Sequence, residues 1–325
     1  MAKELIWSYF IQLSEHMCGD ELDVEGSRFK EWYDATREEG AWYHPKNAYK
    51  ECNIADLPTF DEIVKYVADL KYNMIVIDIC NGVQFEEHPE LSTPDAWSKD
   101  FMKKKLAELR ALGLEPIPKL NFSSGHDVWL LKYRYMKTTN EYYSVVSSCI
   151  KEICELFDYP RFFHLGMDEE QFSVASRNQA VWWHDINFLF KECEKHGVRP
   201  WIWSDAYWHH PENFLKLMSK SVLQSNWFYD NMREYPKETE SYNALKAYEV
   251  FEEHGFDQIP GFTTWAVNYN AYQTLAMGKD KISDEHLLGY MTMPWVHTLP
   301  HEKYRLMNDA YRLYSARKKI YPETL

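Results

Sequence analysis

Arg161-Phe162-Phe163-His164-Leu165-Gly166-Met167-Asp168-Glu169-Glu170 is an apolar strand that runs directly into a cluster of carboxylates. Side chains alternate faces along a strand, so Phe162, His164 and Gly166 share one face, while the acids fall where the strand gives way to a loop. Acids delivered together at a strand end converge on one small ligand, which is how a barrel of strands builds a site at its mouth. Neighbouring carboxylates each disfavour ionisation of the other, and partial burial pushes the same way. One of them can then hold a proton near neutral pH, as a general acid must. The plainer reading is a solvated acid run that caps the following helix, and the sequence on either side weighs against it.

Outward from this stretch, eight apolar or aromatic runs read as strands: Leu5 to Leu13, Met74 to Cys80, Glu115 to Phe122, Phe162 to Met167, Trp201 to Asp205, Val222 to Phe228, Gly261 to Val267 and Leu288 to Val296. Amphipathic helices fit between them. Ile63, Val64, Val67 and Leu70 keep one face, as do Met102, Leu106 and Leu109, and again Ile186, Leu189, Phe190 and Cys193. Thr59 and Glu62 stand in capping-box spacing at the start of the first helix. Gly113, Gly197 and Gly255 each follow a helix where a left-handed cap residue is needed, and each is followed by a proline and a return to apolar sequence. This alternation predicts an α/β fold, a (β/α)8 TIM barrel forming a single domain over residues 1–325, with a long first strand-to-helix loop at about 18–58. The aromatics of that loop (Trp32, Tyr33, Trp42, Tyr43) favour a packed flap over the mouth. No Gly-x-Gly-x-x-Gly follows the first strand, so a dinucleotide-binding sheet has little support.

Composition narrows the partners. A balance of 36 basic against 50 acidic residues gives a net charge of −14, which repels phosphate backbones and anionic lipid, so neither nucleic acid nor a membrane surface is expected to bind. No apolar run approaches the ~20 residues that span a bilayer, and the start of the chain does not resemble a signal peptide, so a cytoplasmic location is expected. The cysteines at 18, 52, 80, 149, 154 and 193 lack metal-type pair spacing and read as reduced core thiols. The oligomeric state leaves no mark in the sequence.

In a closed barrel, function sits at the carboxyl ends of the strands. The first delivers Gln12, Glu15 and His16, and the second Asp78 and Asn81. The third delivers Asn121, Ser123, Ser124 and His126, and the fourth His164, Asp168, Glu169 and Glu170. Trp203, Asp205, Tyr207 and Trp208 follow from the fifth. The last three offer Asn226, Trp227 and Tyr229, then Thr264, Trp265 and Asn268, then Trp295 and His297. Carboxylates and amides ringed by tryptophan suit a sugar, whose hydroxyls need acceptors and whose C–H faces stack on indole. A phosphate site would want Arg and Lys, and none is read at these ends. Trp182, Trp183 and Trp201 are expected only to pack helices against strands, and His164 reads first as a hydrogen-bonded core histidine. His126, His164 and Asp168 with His209 or His210 would make a metal set, but no His-x-His or His-Glu-x-x-His spacing supports it, so neither a metal nor a cofactor is expected.

His164-Leu165-Gly166-Met167-Asp168-Glu169 resembles the His-x-Gly-x-Asp-Glu signature of glycoside hydrolase family 20, the β-N-acetylhexosaminidases. Pro118 through His126 is similar to that family's third-strand segment, Trp203-Ser204-Asp205 to its fifth-strand Trp followed by acids, Trp227 to a sixth-strand pocket Trp, and Gly289 through Trp295 to its eighth-strand run. The resemblance implies an exo-acting retaining glycosidase in which Glu169 is the general acid/base. Asp168 would orient the substrate's own 2-acetamido group, which attacks the anomeric carbon in place of an enzyme nucleophile. Tyr229 or Tyr269 would donate to the acetamido oxygen, and Trp203, Trp227, Trp265 and Trp295 would wall the pocket. The departures lie in the hydroxyl-recognition shell: Glu15 stands where the family carries an Arg, Asn121 where it carries an Asp and His297 where a Glu is usual; a member without the amino-terminal domain common in the family is expected. Two other readings stay open. One is a conventional glycosidase pairing Glu169 with Asp205 or Asp78, and the other is a catalytically inert barrel that only binds glycan.

Overall fold

The structure is a computed structural model, and it describes residues 4–14, 55–170, 178–237 and 239–325. Glu15, His16 and nearly all of the 18–58 loop lie outside the described residues.

Eight parallel strands form one sheet in the order β6-β5-β4-β3-β2-β1-β8-β7. They are β1 (Ile6–Gln12), β2 (Met74–Asp78), β3 (Glu115–Lys119), β4 (Phe162–His164), β5 (Arg199–Trp203), β6 (Leu223–Ser225), β7 (Gly261–Phe262) and β8 (Gly289–Thr292). Isolated bridges from Gln224 to Gln258 and from Trp227 to Gly261 join β6 to β7 and close the barrel. Helices α1 (Leu57–Asp69), α2 (Lys99–Ala111), α3 (Asn140–Leu156), α4 (Gln179–Lys195), α5 (Ala206–His209), α6 (Pro211–Leu217), α7 (Glu240–Glu253), α8 (Asn270–Lys281) and α9 (Lys303–Ile320) follow the strands in turn. This is the (β/α)8 barrel that the alternation of apolar runs implies. Among the described residues no helix is long and apolar enough to cross a membrane.

Strand periodicity sorts the core into two layers. Ile6, Phe10, Met74, Val76, Ile117, Phe162, Trp201, Trp203, Leu223, Met291 and Met293 point inward and fill the barrel. Their neighbours Trp7, Tyr9, Ile11, Ile75, Ile77 and Ile202 point outward and pack under the helices with Ile63, Val67, Leu106, Ile153 and Leu189. Trp182 and Trp183 belong to this outer layer as expected, whereas Trp201 does not. It shares a face with Trp203 two residues on and lies inside the barrel, its indole N–H bonded to the Ser225 hydroxyl at 2.8 Å.

Helix entry is set by side-chain caps. The side chains of Ser98, Thr139 and Thr239 accept the backbone N–H of Phe101, Tyr142 and Tyr242 at the starts of α2, α3 and α7. The box expected from Thr59 and Glu62 is replaced by a cap one turn earlier. Asp56 accepts the Thr59 N–H at 2.9 Å and its hydroxyl at 2.6 Å. Pro58 occupies the first turn, where its missing N–H costs nothing, and so starts the helix at Leu57. The exits behave as read: Gly113, Gly197 and Gly255 have φ of 81°, 71° and 70°. Cys80, Cys149, Cys154 and Cys193 are buried free thiols.

Candidate active site

The stretch after β4 is a tightly turned segment. Gly166, Met167 and Glu169 have φ of 72°, 73° and 54°, a region that L side chains other than glycine rarely occupy. Neighbouring side chains hold it there. His164 Nδ1 accepts the Gly166 N–H at 3.0 Å, Asn121 Oδ1 accepts the Met167 N–H at 3.3 Å, and Asp205 Oδ2 accepts the Glu169 N–H at 2.9 Å. A Cβ on Gly166 would stand 2.0 Å from Asn121 Oδ1, so the glycine is required by space as well as by φ.

This turn brings two acids side by side in unlike surroundings. Asp168 is buried and its Oδ1 accepts from Asn121 Nδ2 at 2.8 Å, so the residue that departs from the family pattern acts here as an orienting donor. The Glu169 side chain is 49% exposed. His126 lies against both, its Nε2 being 3.0 Å from Glu169 Oε2 and 3.5 Å from Asp168 Oδ2. Burial disfavours its imidazolium, but the Asp168 charge, with the hydrogen bond and charge of Glu169, outweighs burial and raises His126 from 6.5 to about 9. With Asp168 and Glu169 both ionised, His126 therefore keeps its proton at neutral pH. Its contribution to stability is complete below 6.5 and is lost as pH rises through about 9. Nitrogen-detected NMR should show His126 titrating near the upper value, and Asp168→Asn should lower it. An unchanged midpoint in that variant would mean that Asp168 is not the charge His126 answers to.

The loop that carries His126 is clamped by charge. Asp127 is buried between Arg134 Nε at 2.8 Å and Lys137 Nζ at 2.9 Å, and Lys137 also donates to the Phe122 carbonyl at 3.1 Å. Glu170 accepts the Ser124 hydroxyl at 2.5 Å and so ties the same loop to the acid-bearing turn.

Aromatic side chains form one continuous wall. Trp203 meets Trp295 at 5.6 Å, Trp295 donates its indole N–H to the Tyr229 hydroxyl at 2.9 Å, and Tyr229 stacks on Trp227 at 4.6 Å. Burial chiefly holds the Tyr229 phenol well above its ordinary pKa, and the charges of Asp168 and Glu169 add to this, so it stays a neutral O–H donor. Tyr269, the other candidate for that role, is 51% exposed. Asp205 is buried beside Trp203, and burial followed by the Asp168 charge pushes its carboxyl well above the usual range.

The structure departs from the sequence reading at Asp78, Lys119 and Trp265, and shows His164 as the hydrogen-bonded core histidine it first reads as. Asp78, expected against a ligand, is buried and paired with Lys119 Nζ at 2.6 Å; Cys80 Sγ donates to its other oxygen at 3.3 Å. Lys119 is the last residue of β3 and fully buried, so the expectation that no Lys stands at a strand end fails. Its inward direction follows from strand alternation with Ile117, which a reading by composition passes over. His164 is wholly buried between Trp201 and Trp203, at 5.0 and 4.4 Å, and burial together with the Lys119 charge keeps it neutral. It serves the turn rather than the pocket. Trp265, expected in the wall, is 56% exposed on the loop after β7. Glu15 lies outside the described residues, and His297 is buried.

Acids at strand ends, a histidine lying against them and an aromatic wall thus stand together beside an eight-stranded parallel barrel. No family model and no curated protein matches the chain in sequence. Solved structures match its fold, and they include family 20 β-N-acetylhexosaminidases. The chitobiase of Flavobacterium johnsoniae superposes with a TM-score of 0.58 at 15% identity, over 81% of this chain and 50% of that one. The β-N-acetylhexosaminidase of Bacteroides fragilis gives 0.60 at 11%, over 95% and 65%. A mutant Streptomyces plicatus β-hexosaminidase in complex with its product GlcNAc gives 0.60 at 12%, over 98% and 68%. The chain thus spans half of the first and about two thirds of the other two, and it has the barrel of this family.

Proposed function

We propose that the chain is a divergent family 20 glycoside hydrolase that removes terminal β-linked 2-acetamido sugars with retention of configuration. The observation that carries this reading is the pairing at the end of β4: a buried Asp168 fixed by Asn121 and His126, next to a half-exposed Glu169. Glu169 would give its proton to the glycosidic oxygen as the bond to the anomeric carbon breaks, and would later take a proton from the attacking water. Asp168 would accept the acetamido N–H while the acetamido oxygen attacks that carbon, and its charge would stabilise the positive oxazolinium ring so formed. His126, 3.0 Å from Glu169 and 3.5 Å from Asp168, fixes the orientation of both side chains. Tyr229 supplies a neutral donor towards the acetamido oxygen, and Trp203, Trp227 and Trp295 supply apolar faces for the ring.

A conventional carboxylate nucleophile has less support. Asp78 is held by Lys119, and one oxygen of Asp205 is committed to the Glu169 N–H. Proton NMR of the first turnover of a chromogenic β-glycoside of N-acetylglucosamine or N-acetylgalactosamine tests the reading. The β-anomer should appear first and mutarotate afterwards. Initial formation of the α-anomer would establish inversion and remove the acetamido nucleophile, and no turnover of either epimer would leave a barrel that only binds glycan.

A further inference from the structure

Four polar side chains stand in one row across the inside of the barrel. The strand register pairs Gln12 with Asp78, Asp78 with Lys119 and Lys119 with His164. Each shares the inward face of its strand with the apolar residue two positions earlier: Phe10, Val76, Ile117 and Phe162 respectively. Neighbouring strands lie about 4.8 Å apart, so Lys119 and His164 are side by side in a dry interior. Both are wholly buried.

His164 holds the turn that follows it. Its Nδ1 accepts the Gly166 N–H at 3.0 Å, so the single proton of the neutral ring belongs on Nε2. Protonating the ring would put an N–H on Nδ1 as well, facing the N–H of Gly166, and the bond that starts the turn would become a repulsion. The same turn carries Asp168 and Glu169.

The Lys119 charge opposes that protonation. Burial disfavours its ammonium, but the Asp78 carboxylate at 2.6 Å outweighs burial and raises its pKa, so it stays a cation. On His164, burial first and the Lys119 charge second lower the pKa of the ring well below 6.5. The other ionisable groups of this region are Asp78, Asp168 and Asp205, while β5 lays the indoles of Trp201 and Trp203 against the ring. The unfolded chain takes up this proton more readily than the fold does. The contribution of the neutral ring is therefore complete above 6.5 and is lost as pH falls towards the lowered folded value.

We propose that Lys119 is a positioning residue for the acid pair: its ammonium, beside His164 in the interior row, preserves the Nδ1 acceptor on which the turn bearing Asp168 and Glu169 depends. Its place in catalysis rests on the glycosidase reading of that pair, whereas its hold on the turn does not.

Two single variants separate charge from bracing. Lys119→Gln removes the charge and keeps a donor for Asp78, and Asp78→Asn keeps the ammonium and an oxygen for it. If the ion pair only braced the barrel, the two would act alike. Nitrogen-detected NMR of His164 and hydrogen exchange of the Gly166 amide, corrected for intrinsic rates, are followed over about pH 5 to 8. In the unmutated protein and in Asp78→Asn, His164 should stay neutral and Gly166 protected throughout. In Lys119→Gln, His164 should titrate within that range, and Gly166 protection should fall about tenfold or more at its acid end, as a pKa raised by one unit produces. The kcat of that variant on a chromogenic 2-acetamido glycoside should fall in parallel at acid pH and change little at neutral pH. Should Lys119→Gln fail to fold, the double variant Lys119→Met/Asp78→Leu, which strands no charge, takes its place and should show the same titration. A His164 that stays neutral without Lys119, a Gly166 amide that keeps its protection while His164 titrates, or matching behaviour of the two single variants would overturn the role of Lys119. Neither spectroscopic measurement needs substrate, so a lack of turnover in the unmutated protein would remove the catalytic reading and leave the hold on the turn standing.

Discussion

Glu169→Gln is expected to lower kcat by about 10² to 10⁴, the span usual for a lost general acid, while leaving the fold intact. The amide can still accept from His126, and the backbone N–H of residue 169 keeps its bond to Asp205, so the turn survives without its titratable proton. Glu170→Gln is the internal control. Its side chain accepts from Ser124 and lies one residue beyond the signature, so the effect should be small. Matched circular dichroism melts and steady-state kinetics on both variants check the pair. Near-normal kcat in Glu169→Gln, or the larger loss in Glu170→Gln, would take the acid role away from Glu169.

A second large effect lies in the substrate. With the acetamido group as nucleophile, a matched 2-hydroxy glycoside gives Asp168 nothing to orient, and its kcat/KM should fall by several powers of ten however well the ring binds. An oxazoline-mimicking thiazoline should inhibit about 10²-fold or more below the Kd of the free sugar, because it resembles the charged intermediate. Equal turnover of the two glycosides with no thiazoline inhibition would transfer the nucleophile to a carboxylate, with Asp205 the first to examine.

Much of this architecture was legible in the residues themselves. The strands, the glycine exits and the placing of Asp168 and Glu169 at a strand end follow from two periodicities and from positive φ at Gly113, Gly197 and Gly255. What escaped was direction and pairing. Strand β4 is shorter than its apolar run, which continues through Leu165 and Met167 beyond His164, and β5 begins two residues earlier than its run, at Arg199. Lys119 goes unread and Trp201 is misplaced, because their residue types outweigh the alternation that sends both inward. The Asp56 cap was overlooked because the spacing of Thr59 and Glu62 satisfied a pattern that Pro58 had already forestalled. That Asn121 donates to Asp168 is visible only in the structure, where its amide is bonded to that carboxylate.

The Lys119–Asp78 pair beneath the site bears on how this barrel can change over generations. Either partner replaced alone strands a full charge in a dry interior, at about 3 to 5 kcal/mol, a large share of the ~5 to 15 kcal/mol by which a domain is stable. Replaced together by apolar residues of similar volume, the two can leave stability unchanged or improved. The two positions are therefore separated from their neutral alternatives by a valley that no single substitution crosses, and they should pass through descent as a unit. Any chain that shares this pocket but lacks the lysine should also lack the aspartate.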